Sequence, residues 1–156
     1  MDEHLKRSIM IEHYQNPLNK GLDNTDNYIK VNMNSKTCID NLDFACDIKD
    51  NIIKDIKFDG EACAISTSAA SIMSELLKGK TKQEALKIIE NYENMINEKK
   101  YDKNLLEEAN CYDEIYKQPN RKKCALLPFY GIKKILEERS KWQNEKKWNI
   151  KYWKII

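Results

Sequence analysis

No stretch of this sequence is apolar over the roughly 20 consecutive residues that crossing a bilayer takes, which excludes a membrane-spanning helix. The opening residues, MDEHLKRSIMIEHY, break their apolar positions with charge and lack the uninterrupted apolar segment of a secretion signal. A cytoplasmic location is therefore expected. Neither sign of charge dominates: 27 Lys and Arg stand against 25 Asp and Glu, a net of +2, so bulk electrostatics selects no partner. The five cysteines, Cys38, Cys46, Cys63, Cys111 and Cys124, include no CxxC pair, and an odd number does not close a disulfide framework. In a reducing compartment such thiols serve as metal ligands, as nucleophiles or as plain core residues. Nothing repeats internally, and no segment is of low complexity.

What is present fits one domain. At 156 residues and 41% hydrophobic composition the chain is long enough to bury a core without covalent staples. Charge is uneven only at one end: residues 141–156 hold five lysines and one glutamate, a net of +4, interleaved with Trp142, Trp148, Tyr152 and Trp153. The expected organisation is a domain over residues 1–140 followed by a basic, aromatic tail over 141–156. Folding back with its lysines solvated is the plain reading of that tail, and nucleic acid is not an expected partner.

Hydrophobic period changes in a clear order along the chain. Leu5, Ile9, Met10 and Tyr14 have helical spacing, which Asn16-Pro17 ends. Alternation at Ile29, Val31 and Met33, at Leu42, Phe44, Cys46 and Ile48, and at Ile52, Ile56 and Phe58 predicts three strands. The last two read as a hairpin around Asp50-Asn51. A helix follows Cys63, with Ala69, Met73, Leu76 and Leu77 as its stripe, Ser66 or Ser68 as its cap and Gly79 as its stop. TKQE, Thr81 to Glu84, is a capping box opening a helix that carries Ala85, Ile88, Ile89, Tyr92 and Ile96. From Asp102 to Pro119, Leu105, Ala109, Tyr112 and Tyr116 predict another helix. The last helix is placed near Cys124, which would put Pro128 in a first turn, with Phe129, Ile132, Ile135 and Leu136 continuing it.

On this map Cys46 is a core residue and Cys111 a half-buried, inert one. The other three cysteines sit at element ends: Cys38 between two strands, Cys63 between a strand and a helix, Cys124 at a helix start. Asp40, two residues beyond Cys38, reaches the same place if its loop curves. Three thiolates and a carboxylate suit zinc or an iron centre, although the spacing alone favours separate structural cysteines. His13, at the end of a helix, is read as fixing the chain and not as a ligand.

Four motifs in order carry a resemblance. GEACAIS, Gly60 to Ser66, with the SAASIMSELLKGKT that follows, resembles the region around the second cysteine of the U-type iron–sulfur cluster assembly proteins, the family of IscU, SufU and the amino-terminal part of NifU. HYQNPLNKG, His13 to Gly21, TCID, Thr37 to Asp40, and PNRKKCALL, Pro119 to Leu127, resemble its other three motifs. The resemblance implies an α+β fold, a three-stranded antiparallel sheet backed by helices, and a metal site formed by Cys38, Asp40, Cys63 and Cys124.

The resemblance also implies a role. Lys123 stands where the scaffold branch, which builds a transient [2Fe–2S] cluster, usually has a histidine. The segment from about Lys99 to Gln118 is longer than a scaffold needs. Both features are similar to SufU, the zinc-dependent sulfurtransferase branch, which implies a cysteine desulfurase as sulfur donor and a downstream cluster-assembly or other acceptor protein. Cys38, on a loop, is the expected sulfur acceptor, with Cys124 as the alternative. Lys36 and Ile39 replace the family's usual proline and glycine, so the first loop is expected to bend differently. A reading from another class is a non-catalytic, zinc-stabilised interaction module.

Overall fold

The computed structural model describes the backbone of residues 1–145 and the side chains of residues 1–138. Helix α1 (Glu3–Gln15) leads into strands β1 (Ile29–Asn34), β2 (Asn41–Lys49) and β3 (Ile52–Glu61), then helices α2 (Ala64–Leu77) and α3 (Lys82–Ile96). Three short 3-10 helices, Lys103–Leu105, Glu107–Tyr112 and Ile115–Lys117, precede the long helix α4 (Pro119–Glu145). The fold is α+β as expected. Of the expected 141–156 tail, residues beyond Glu145 lie outside the described residues.

The strands pair antiparallel in the order β1-β2-β3. Asp50 and Asn51 turn the β2–β3 hairpin with φ of 53° and 64°, the left-handed pair that a two-residue turn matching strand twist requires. A bulge between Asp47 and Ile48 shifts the register, so Ile53 and not Ile52 faces the core. One face of the sheet packs against α2 and α4. There Leu42, Phe44, Cys46, Ile56 and Phe58 are wholly buried, and Cys46 takes the core place its alternation assigns. A methyl on Gly131 would lie 2.9 Å from the Phe44 ring, so the absence of a side chain is what lets α4 approach β2 this closely. Deeper in the helical layer Tyr92 stacks on Phe129 with ring centroids 3.7 Å apart.

Four expectations are corrected. The α1 stripe is buried only in its middle: Ile9 and Met10 pack against the core, but Leu5 and Tyr14 at its ends are 48% and 49% exposed, while Lys6 and His13 are buried. Polar clasps decide that orientation, because Lys6 Nζ lies 2.7 Å from Asp113 and His13 bonds Ser71 and Glu108. The segment after Asp102 is not one α-helix. Leu106, Ala109, Tyr112 and Ile115, spaced by threes, form its main buried stripe, the period of the 3-10 helices that form there. Cys111 within it is fully buried and not half-buried.

The fourth correction bears on the site. Helix α4 begins at Pro119, so Cys124 lies in its second turn and Pro128 in its interior. Pro119 takes the first-turn place where a missing N–H costs nothing. Pro128 removes the N–H that would bond the carbonyl of Cys124, four residues back. That carbonyl instead faces the Ser66 hydroxyl at 3.0 Å, and the Tyr92 hydroxyl donates to the neighbouring Ala125 carbonyl at 2.9 Å.

Candidate metal centre

Three separate elements deliver the four expected side chains to one place. Cys38 and Asp40 come from the loop joining β1 to β2, Cys63 from the junction of β3 and α2, and Cys124 from α4. One ligand atom from each lies within 4.8 Å of all the others. Cys46, in the sheet core, and Cys111, in the second 3-10 helix, are not in this group.

Local structure fixes each member. The backbone N–H of Ser35 donates to the Asp40 carbonyl at 2.9 Å and closes the loop, whose turn leaves Ile39 69% exposed. Ile39 has no positive φ, so the loop passes the family's usual glycine position without left-handed strain. Asp40 therefore reaches the site. Cys63 is itself the N-cap of α2, its sulfur accepting the Ser66 N–H at 3.5 Å, so neither Ser66 nor Ser68 is the cap. The Ser68 hydroxyl bonds the Ala64 carbonyl and Tyr112 instead.

Asp40 is 1% exposed, with its two oxygens engaged separately. Oδ1 accepts from the Cys63 backbone N–H at 2.8 Å and Oδ2 from the Ser66 hydroxyl at 2.6 Å. Burial pushes the Asp40 carboxyl up, but hydrogen bonds from Ser66, the Cys63 N–H and the Cys124 and Cys63 thiols outweigh it and hold the carboxyl below its ordinary value. Burial first, then hydrogen bonding to Asp40 and Cys63, pushes the Cys124 thiol far above the usual range. The Asp40 carboxylate is balanced by hydrogen bonds alone, with no lysine or arginine paired to it among the described residues, which leaves its negative charge uncompensated in the interior. A cation at this point would relieve it.

The donor set fits that cation. Zinc takes thiolate ligands at about 2.3 Å and a carboxylate oxygen at about 2.1 Å in a tetrahedron, so neighbouring ligand atoms sit about 3.6–3.8 Å apart. Side chains already gathered within 4.8 Å need to draw in only slightly. Access is uneven: Cys124 is 2% exposed, while Cys38 is half-buried and opens on a cavity of about 460 Å³ lined also by Thr37, Asn120, Arg121 and Lys123.

His13 stays out of this group and fixes the chain, as expected of it. Its Nδ1 lies 2.7 Å from Ser71 Oγ and its Nε2 3.1 Å from Glu108. Sequence reasoning did miss Ser66, which touches Asp40, Cys63 and the Cys124 backbone. The available signal was Pro128, a helix-interior proline four residues after a site cysteine.

Comparison with known proteins agrees with this geometry. Residues 5–125 match the family described as the NifU-like N terminal domain. The chain belongs to that family. It is 36% identical over 131 residues to the zinc-dependent sulfurtransferase SufU of Bacillus subtilis, covering 83% of this chain and 88% of the relative. The iron–sulfur cluster assembly scaffold protein IscU of Streptococcus pyogenes is 28% identical over 154 residues, covering 98% and 96%. Among solved structures, one described as a scaffold protein for the SUF system of Fervidobacterium islandicum superposes with a TM-score of 0.74 at 30% identity, covering 85% of this chain and 97% of that one. An α+β domain of iron–sulfur cluster assembly type, with a donor set able to hold a metal, is thus established. No helix among the described residues is long and apolar enough to cross a membrane.

Proposed function

We propose that this protein accepts sulfur from the persulfide of a cysteine desulfurase and passes it to a cluster-assembly or other acceptor protein, with zinc held by Cys38, Asp40, Cys63 and Cys124. The carrying observation is the asymmetry of the donor set: Cys124 and Asp40 are buried, Cys63 caps a helix, and Cys38 stands on a loop facing an open cavity. The 36% identity to a zinc-dependent sulfurtransferase supports the same reading. Zinc, when bound, lowers thiol pKa values and keeps the ligands as thiolates.

The chain's own residues do the rest. Cys38 Sγ attacks the outer sulfur of the donor's persulfide. A bond forms between the Cys38 sulfur and that outer sulfur as the donor's S–S bond breaks, and the donor cysteine leaves as a thiolate. No net oxidation occurs, and access and nucleophilicity set the rate as in thiol–disulfide exchange. Cys38 can move because its loop carries it, whereas displacing Cys63 or Cys124 would disturb a helix.

Metal analysis of protein purified without added zinc, followed by incubation with a desulfurase and cysteine, tests the proposal. The expected outcome is about one zinc per chain, faster desulfurase turnover and the added sulfur on Cys38 by mass spectrometry. Sulfur found mainly on Cys124, or full stimulation by Cys38→Ser, overturns the role of Cys38. Zinc without stimulation of any desulfurase favours an interaction module.

A further inference from the structure

We infer that Ser66 is the positioning residue of the metal centre, tying together the three elements that supply its ligands. The inference rests on the metal reading above and concerns a side chain that supplies no ligand atom itself. Ser66 is completely buried in the first turn of α2, next to the Cys63 N-cap. Its Oγ lies 2.6 Å from Asp40 Oδ2 on the β1–β2 loop and 3.0 Å from the Cys124 carbonyl on α4. It also lies 3.7 Å from Cys63 Sγ at the head of its own helix. One hydroxyl therefore touches every element in the site.

The α4 contact exists because of Pro128. Any other residue there would offer its N–H to the Cys124 carbonyl and complete the helix ladder. With no such donor, the carbonyl is left for Ser66. The hydroxyl carries a single proton, shared between a carboxylate at 2.6 Å and a carbonyl at 3.0 Å; the shorter, charge-assisted bond to Asp40 is the stronger. Ser66 thus fixes the direction of the Asp40 carboxylate and, more weakly, the depth of the turn carrying Cys124. Outer hydrogen bonds of this kind orient metal ligands and cost about 10- to 100-fold in metal affinity when removed.

Cobalt(II) serves as the probe, because its absorption reports ligand number and symmetry, together with the rate at which bound zinc passes to a competing chelator. Ser66→Ala should shift the cobalt ligand-field bands while leaving the thiolate charge-transfer bands in place, and should release zinc about 10- to 100-fold faster. Ser66→Thr, which keeps the hydroxyl, should restore both readings toward the parent.

A structural effect is separated by a second background. Pro128→Ala returns the helical N–H to the Cys124 carbonyl, so Ser66→Ala made in it leaves no orphaned carbonyl. The positioning role predicts that the cobalt shift and fast release persist there. Identical spectra and release rates for Pro128→Ala and the double variant overturn the inference while leaving the metal site standing. A parent protein that binds neither cobalt nor zinc overturns both.

Discussion

His13 Nδ1 lies 2.7 Å from Ser71 Oγ, joining α1 to the middle of α2 across 58 residues of sequence. Ser71 also accepts the Leu18 N–H at 2.8 Å, so its own proton is free to go to His13 Nδ1. Nε2 then carries the ring proton toward Glu108, 3.1 Å away in the second 3-10 helix. The serine is wholly buried, which denies it to any substrate and makes the Ser-His-Glu chain a structural clasp.

Ser71→Ala strands the Leu18 N–H and His13 Nδ1 together. The buried His13 nitrogen left without a partner costs about 1–3 kcal/mol, and the Leu18 N–H, on an exposed residue that water can reach, adds little, so urea denaturation should show a loss of about 1–3 kcal/mol. Bound metal per chain should not change, since the clasp touches no ligand. Loss of zinc from this variant while it remains folded would show that the clasp and the site are coupled.

A second clasp predicts an alkaline limit. Hydrogen bonding to Asp113 raises the Lys6 pKa above 10.5, against the lowering effect of burial. A raised lysine pKa contributes stability that is fully present below about 10.5, the unfolded value, and is lost as pH rises through the higher folded value. Melting curves of the parent should therefore fall more steeply above pH 10.5 than those of Lys6→Met, which has no proton to lose. Parallel curves for the two would remove Lys6 from the account of alkaline stability.

The cysteines divide into two sets that metal analysis can separate. Cys63→Ser and Cys124→Ser should lose zinc and drop in Tm, because the free energy of metal binding is also folding free energy. Cys111→Ser and Cys46→Ser should keep about one zinc per chain, although a hydroxyl at either fully buried position costs about 1–3 kcal/mol. Equal metal loss in both pairs would refute the ligand assignment.

How far the sequence carried these conclusions differs by level. Strand alternation, the Thr81–Glu84 capping box and the stripe of α3 were readable because their periods are local, and each is present. Lys6 and His13 were not readable as a buried face, since nothing local announces partners 107 and 58 residues away. Helix α4 was misplaced because Pro128 reads as a first-turn residue until a distant hydroxyl is known to take its freed carbonyl. The four site residues were candidates from their places at element ends, and motif resemblance singled them out as one set. Their meeting within 4.8 Å is a property of the fold that no spacing rule would have supplied.

Under the sulfur-transfer reading proposed above, Lys123 is the residue expected to disfavour a bound cluster. It is exposed and lines the cavity into which Cys38 opens, so a bound cluster would have an ammonium group there and no imidazole available as a ligand. An ammonium group cannot coordinate iron, and Asp40, held by Cys63 and Ser66, would be a hard ligand in an otherwise thiolate set. Anaerobic incubation with iron, cysteine and a desulfurase should give little [2Fe–2S] absorbance on the parent protein. Lys123→His combined with Asp40→Ala should raise it, by supplying a neutral nitrogen ligand and removing the oxygen one. A stable cluster on the unaltered chain, with zinc readily displaced by iron, would instead place this protein with the scaffolds, in line with its 98% coverage by the streptococcal relative.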